Sequence, residues 1–80
     1  MKAKVLIRRK TGVFDPEGKV IEGGLGSLGY SGIESVAVGK LVIIDFDESD
    51  ASVVEERVSK MCAEFLVNPV IETYELEIVA

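Results

Sequence analysis

The fold is decided by residues 49–78, SDASVVEERVSKMCAEFLVNPVIETYELEI, where a helical repeat gives way to a strand repeat. In the first half the apolar residues recur with a 3.6-residue period, which predicts an amphipathic helix capped by Ser49 or Asp50. Asn68-Pro69 ends this helix, because the residue before a proline is driven out of the helical region. The following apolar residues alternate with glutamates, as in a half-buried strand; they are Val70, Tyr74, Leu76 and Ile78.

The N-terminal half predicts another strand followed by another helix. Residues 2–9 place Ala3, Val5 and Ile7 on one face, while lysines and arginines occupy the other. Asp15-Pro16-Glu17 is typical of a helix start, and Gly29 is typical of the left-handed residue that ends one. The helix between them carries an apolar stripe formed by Ile21, Leu25 and Leu28.

Residues 33–47 are rich in β-branched side chains and are apolar on both faces, which predicts a strand covered on both sides. Fifteen extended residues would span about 50 Å, so we expect a bend, bulge or tight turn at Gly39-Lys40. The sequence leaves open whether this segment is one bent strand or a hairpin. The order β-α-β-(β)-α-β predicts a single α+β domain over residues 1–80: a two-layer sandwich with a mainly antiparallel sheet and two helices on one face. A true turn at Gly39-Lys40 would make it ferredoxin-like.

Composition excludes several classes of function. The net charge of −5 argues against nucleic acid as a partner, since phosphate binding needs a basic surplus. The longest apolar run, Leu41 to Ile44, is too short to span a membrane, and no signal peptide is evident, so we expect a soluble cytoplasmic protein. Cys62 is the only cysteine and there is no histidine, so the chain offers no nucleophile–base pair and no catalytic residue.

Two motifs suggest ligand sites that their surroundings do not support. Residues 24–29, GLGSLG, match a dinucleotide-binding pattern, but they lie at the C-terminal end of a predicted helix, where carbonyl groups repel phosphate. The acidic cluster Asp45, Asp47, Glu48 and Asp50 lacks the glycine and the terminal glutamate of a calcium loop. We therefore expect neither a cofactor nor a metal ion to bind this chain.

Apolar residues outside the predicted core indicate self-association. Small domains without disulfides or metals often gain stability by forming oligomers. Leu6 lies among cationic residues, and Leu41 and Ile43 lie on the second apolar face of their strand. These three residues are the predicted interface of a homodimer or of a pair of dimers.

A series of local motifs resembles the PurS family over most of the chain. They are, in order, GVFDPEGK at residues 12–19, LGY at 28–30, VGK at 38–40, MC at 61–62 and NPVIETY at 68–74. The resemblance implies the small, non-catalytic subunit of phosphoribosylformylglycinamidine (FGAM) synthase, a ligase of purine biosynthesis. It implies PurL and PurQ as partners, bridging of the glutaminase PurQ to the synthetase PurL, and a possible part in ammonia transfer. ATP, Mg and glutamine would be used by the complex and not bound by this subunit.

Two connections carry the densest resemblance and are the predicted surface for these partners. Connections tolerate sequence drift unless they bind something. The predicted partner-interface residues are Val38, Gly39, Lys40, Asn68, Pro69, Val70, Ile71 and Glu72. The alternative reading of the whole chain is a small ligand-binding regulatory domain of ferredoxin-like type, in which the glycines would line a pocket.

Overall fold

A computed structural model describes all of residues 1–80. It contains three strands, β1 (Lys2–Arg9), β2 (Lys40–Asp45) and β3 (Glu72–Val79), and two helices, α1 (Pro16–Ser27) and α2 (Ala51–Met61). A single π-helical turn, Cys62–Leu66, continues α2 up to Val67. The predicted α+β fold, with an antiparallel sheet and two helices, is confirmed.

The sheet has the order β2-β1-β3, and both pairs of strands are antiparallel. Val5 in the central strand lies opposite Val42 of β2 and Leu76 of β3, so these three side chains share one face. That face carries the core, in which the buried side chains of β1 pack against those of α2 and the π-helical turn. The buried cluster comprises Ala3, Val5, Ile7, Val54, Val58 and Cys62.

Local capping residues account for the start of both helices and for the end of α1. The Asp15 side chain accepts a hydrogen bond from the Gly18 amide at 3.0 Å, and Pro16 occupies the first turn of α1. Gly29, with a φ of 92°, ends α1, and the Tyr30 amide donates back to the Leu25 carbonyl at 3.2 Å. Of the two predicted caps for α2, the residue that caps the helix is Asp50, which accepts from the Ser52 amide at 3.0 Å.

The expected strand over residues 33–47 forms only in its second half. β2 begins at Lys40, and residues 33–39 have no ladder partner within the chain, so the bracketed strand of the predicted order is absent. Gly39-Lys40 is neither a turn nor a bulge, and Gly39 does not have a positive φ. The Val38 amide is held by Asp15 at 2.8 Å, and Gly39 lies against the Ile7 carbonyl. These two contacts keep the backbone extended through the expected bend.

Only α2 packs on the sheet, although both helices were expected on one face. α2 contacts β1 and β3, whereas α1 contacts no strand and no other helix. The chain is accordingly elongated, with a radius of gyration of 16.1 Å and extents of 48 × 26 × 15 Å. A compact domain of this length would have a radius near 12 Å, roughly. No helix in the chain combines the length and the apolarity that a membrane span requires.

Candidate docking site

The two predicted connections meet at one end of the sheet. β1 lies between β2 and β3, so the start of β2 and the start of β3 flank the last residues of β1. Lys40 Nζ lies 3.5 Å from Glu72 Oε2 and joins the two connections by an ion pair. We call this region the docking surface; it comprises Val38, Gly39, Lys40, Asn68, Pro69, Val70, Ile71 and Glu72.

Asp15 fixes the first half of the docking surface as well as capping α1. One carboxylate oxygen accepts from the Gly18 amide, and the other accepts from the Val38 amide at 2.8 Å. The hydrogen bond from Gly18 and then that from Val38 lower the pKa of Asp15, and the charge of Arg9 lowers it further. Sequence reasoning identified the cap but missed the second bond, which joins residues 23 positions apart.

Gly39 is required by close packing of the backbone. A Cβ atom built at this position would lie 2.6 Å from the Ile7 carbonyl oxygen, and real Cβ atoms essentially never lie within 3.0 Å of such a neighbour. Any other residue would push the start of β2 away from β1. The glycine therefore sets how closely the docking surface approaches the central strand.

The second half of the docking surface is held by hydrogen bonds around the Asn68-Pro69 corner. The Glu72 carboxylate accepts from the Asn68 amide at 2.8 Å, and the Asn68 side chain accepts from the Val70 amide at 3.1 Å. Lys10 ties this corner to β1, because its amide donates to Ile71 O at 2.8 Å and its Nζ donates to Pro69 O at 2.6 Å. Nothing in the sequence distinguished Lys10, which directly follows β1, from the cations within that strand.

The charges of the docking surface are those of the Lys40–Glu72 ion pair, in which the Glu72 carboxylate also accepts a hydrogen bond from the Asn68 amide. The Asn68 amide lowers the pKa of Glu72 most, and the charges of Lys40 and Arg9 lower it further. An open cleft of about 430 Å³ separates the two halves, and most of its lining is polar or charged. Val70 stands exposed beside it, with 77% of its surface accessible. The surface thus presents both signs of charge and an apolar contact, which suits recognition of a protein.

The groups that carry reactive chemistry lie elsewhere or are absent. Cys62 is buried in the core, and burial raises the pKa of its thiol, so the neutral form is favoured. No group of three or more histidine, cysteine, aspartate or glutamate side chains is placed to hold a metal ion. In the acidic cluster, the Glu48 carboxylate accepts from the Ser49 and Asp50 amides, which accounts for its position ahead of α2.

The three residues predicted to form a homo-oligomer interface lie together on the sheet face opposite α2. Leu6 lies directly across from Leu41, and Ile43 lies across from Lys4. All three are exposed within one chain. Arg8 and Glu75 form an ion pair at 2.6 Å on the same face, so the apolar residues have charged neighbours.

Comparison with known proteins finds one family over the whole chain. The sequence model described as "PurS: Phosphoribosylformylglycinamidine (FGAM) synthase" matches residues 2–80. The PurS subunit of Methanocaldococcus jannaschii is 38% identical over 77 residues, which cover 96% of this chain and 93% of that protein. The PurS subunit of Bacillus subtilis is 34% identical over 77 residues, covering 96% and 90%.

Two solved structures are similar along nearly their full length. The crystal structure of Methanocaldococcus jannaschii PurS, described as a subunit of formylglycinamide ribonucleotide amidotransferase in the purine biosynthetic pathway, aligns with a TM-score of 0.85 and 39% identity. That alignment covers 95% of this chain and 92% of the other. A chain in the structure of PurLQS from Thermotoga maritima aligns with a TM-score of 0.85 and 30% identity, covering 95% and 93%.

Proposed function

Because the chain belongs to the PurS family of FGAM synthase subunits, we propose that it bridges PurL and PurQ through the docking surface. In this proposal PurQ releases ammonia from glutamine and PurL uses ATP to form the amidine. The small subunit seats one on the other and so shortens the route along which ammonia can escape. Support for these partners comes from the similar Thermotoga maritima chain, whose structure is that of a PurLQS complex.

The observation that carries the proposal is the network of hydrogen bonds that supports the docking surface. Asp15 holds Val38, Lys10 holds Pro69 and Ile71, and Glu72 holds Asn68. Ordering a flexible connection upon binding costs affinity, and a connection that is already ordered avoids that cost. Connections held this firmly, at the end of a sheet with an exposed apolar residue, are suited to binding a protein partner.

Charge gives the docking surface an orientation. Lys40 and Glu72 join the two connections at the end of the sheet, and their ion pair leaves the Lys40 side chain largely exposed. Charges at the rim of an interface set the association rate and exclude wrong orientations more than they raise affinity. A partner that binds here is expected to place an acidic group near Lys40.

Three variants separate docking from structural support: Lys40→Glu, Glu72→Lys and the double reversal that carries both changes. The double reversal restores an ion pair within the chain but presents inverted charges to a partner. Docking predicts that all three variants fold and bind PurL and PurQ more weakly, as measured by titration calorimetry. Lys60→Glu, on the exposed face of α2, is the control and should bind normally.

Each outcome of this experiment decides between the two roles. Weak binding by the double reversal, in a variant that remains folded at the temperature of the assay, supports docking through this surface. Normal binding by the double reversal and weak binding by the single variants assign the pair to structural support alone. Normal binding by every variant places the contact with PurL and PurQ elsewhere on the chain.

A further inference from the structure

A cleft around the end of β1 carries a positive charge that contrasts with the rest of the chain. Its volume is about 820 Å³, within the range typical of small-molecule sites. The net charge of the chain is −5, yet five of its nine lysines and arginines line this cleft, and Asp15 is the one acidic residue that does so. A cleft lined by one sign of charge concentrates the opposite charge, so this region favours an anionic ligand. The five cations are Arg8, Arg9, Lys10, Lys19 and Lys40.

Two of these cations, Arg9 and Lys10, have no carboxylate partner, whereas the other three form ion pairs with glutamates. Arg9 donates to the backbone carbonyl of Phe14 at 2.9 Å, and Lys10 donates to that of Pro69 at 2.6 Å. Each of these bonds holds a side chain in place and leaves further donors of its charged group available. Both carboxylate oxygens of Asp15 accept from backbone amides. Arg9 and Lys10 are therefore the cations of the cleft that an anion can approach.

The loop that follows β1, residues 10–15, adds an aromatic ring and a hydroxyl group to the cleft. The Phe14 side chain is 70% exposed, and its backbone carbonyl is the group to which Arg9 donates. Thr11 is exposed in the same loop. Planar heterocycles stack on aromatic side chains, and arginine and lysine bind anions through charge-assisted hydrogen bonds. The cleft therefore brings together the groups that bind a ligand with a flat ring and a negative charge.

We propose that this cleft binds a phosphate monoester joined to a flat heterocycle, as in a nucleoside monophosphate. Arg9 and Lys10 donate to the phosphate oxygens, and the ring of Phe14 lies against the heterocycle. A phosphate suits two neighbouring cations because it offers three strong acceptor oxygens and close to two negative charges. The proposal does not depend on binding to PurL or PurQ, because every contact that it uses lies within this chain.

The sequence predicted no ligand site here because the groups come from separate segments. The end of β1, the loop at residues 10–15 and residues 35–41 all contribute to the cleft, and only the fold brings them together. The dinucleotide-binding pattern at residues 24–29 does not contribute to it. The glycines that do line the cleft are Gly12 and Gly39, which no nucleotide-binding motif contains.

Titration of the full chain with adenosine monophosphate tests the proposal, with the backbone amides followed by two-dimensional NMR. We expect saturable shifts that centre on Thr11, Gly12 and Phe14. Adenosine and inorganic phosphate are titrated separately, and each should bind at least roughly ten-fold more weakly, because each lacks one half of the contacts. Added salt should weaken the binding of adenosine monophosphate, since it screens the attraction between phosphate and exposed cations.

Variants separate the two halves of the site, after circular dichroism has established that each is folded. Arg9→Gln, Lys10→Gln and Phe14→Ala should each weaken binding of adenosine monophosphate by roughly ten-fold. Phe14→Tyr keeps a flat ring and should bind like the parent, as should the control Lys60→Gln on the exposed face of α2.

Four results would overturn the proposal. They are the absence of saturable shifts, shifts centred away from the cleft, inorganic phosphate binding as tightly as adenosine monophosphate, and unchanged binding by Phe14→Ala. If Phe14→Ala instead weakens binding to PurL or PurQ while the parent binds no adenosine monophosphate, the cleft is a protein contact and not a nucleotide site. A chain that binds adenosine monophosphate but neither PurL nor PurQ would support this inference and count against the docking role alone.

Discussion

Replacing Gly39 by alanine tests how the docking surface is held against the central strand. The added Cβ would lie 2.6 Å from the Ile7 carbonyl oxygen, while ordinary contacts begin at 3.4 Å. The two backbones must therefore separate by about 0.8 Å, in a region where the ladder between β1 and β2 begins. Overpacking of this kind costs about 1–3 kcal/mol. For a domain of this size each kcal/mol lowers Tm by roughly 4–8 °C.

Thermal unfolding followed by circular dichroism measures the effect. Gly39→Ala should lower the midpoint by between roughly 4 and 24 °C. Gly23→Ala is the matched control, because nothing lies within 4 Å of its added Cβ and alanine is favoured in a helix by about 0.5–1 kcal/mol. That variant should be as stable as the parent or more so. An unchanged or raised midpoint for Gly39→Ala would refute the argument from close packing.

Three further predictions concern stability. Ile7→Ala should lower the free energy of unfolding by about 2–5 kcal/mol in urea, because the side chain is fully buried. Leu28→Ala is the control: this side chain is exposed at the end of α1, and its removal should change stability by no more than about 0.5 kcal/mol. Asp15→Asn should destabilise the chain at neutral pH. The difference in stability between this variant and the parent should shrink as the pH falls below 3.8 through the lowered pKa of Asp15, because a protonated carboxyl no longer benefits from its amide donors. A stability difference that persists at low pH would contradict this. Glu72→Gln should also be less stable than the parent at neutral pH, and this difference should shrink as the pH falls below 4.5, because the pKa of Glu72 is lowered as well.

The elements with strong local signals could be predicted from the sequence. The alternation in β1, the proline and aspartate before α1, and the repeat in α2 each depend on neighbouring residues, and each element forms where expected. The glycine that ends α1 was likewise identified, because a left-handed C-terminal residue has a clear residue preference.

The segment before β2 could not be predicted in the same way. Residues 33–39 have the composition of a strand, but a strand also needs a neighbour, and no pattern in the sequence says whether one lies in the same chain. Nothing in the sequence indicated that the two connections, residues 38–40 and 68–72, lie next to each other. Lys40 and Glu72 were identified as separate charges, and only the order β2-β1-β3 brings them within 3.5 Å.

The most direct test of the docking role compares two nitrogen sources in a reconstituted synthase. Formation of formylglycinamidine ribonucleotide is measured with the cognate PurL and PurQ, with and without this chain, first using glutamine and then using ammonium. Docking predicts that omission of the chain abolishes the glutamine-dependent rate and leaves the ammonium-dependent rate of PurL nearly unchanged, since ammonium in solution needs no seated glutaminase. An equal glutamine-dependent rate in its absence would contradict the account.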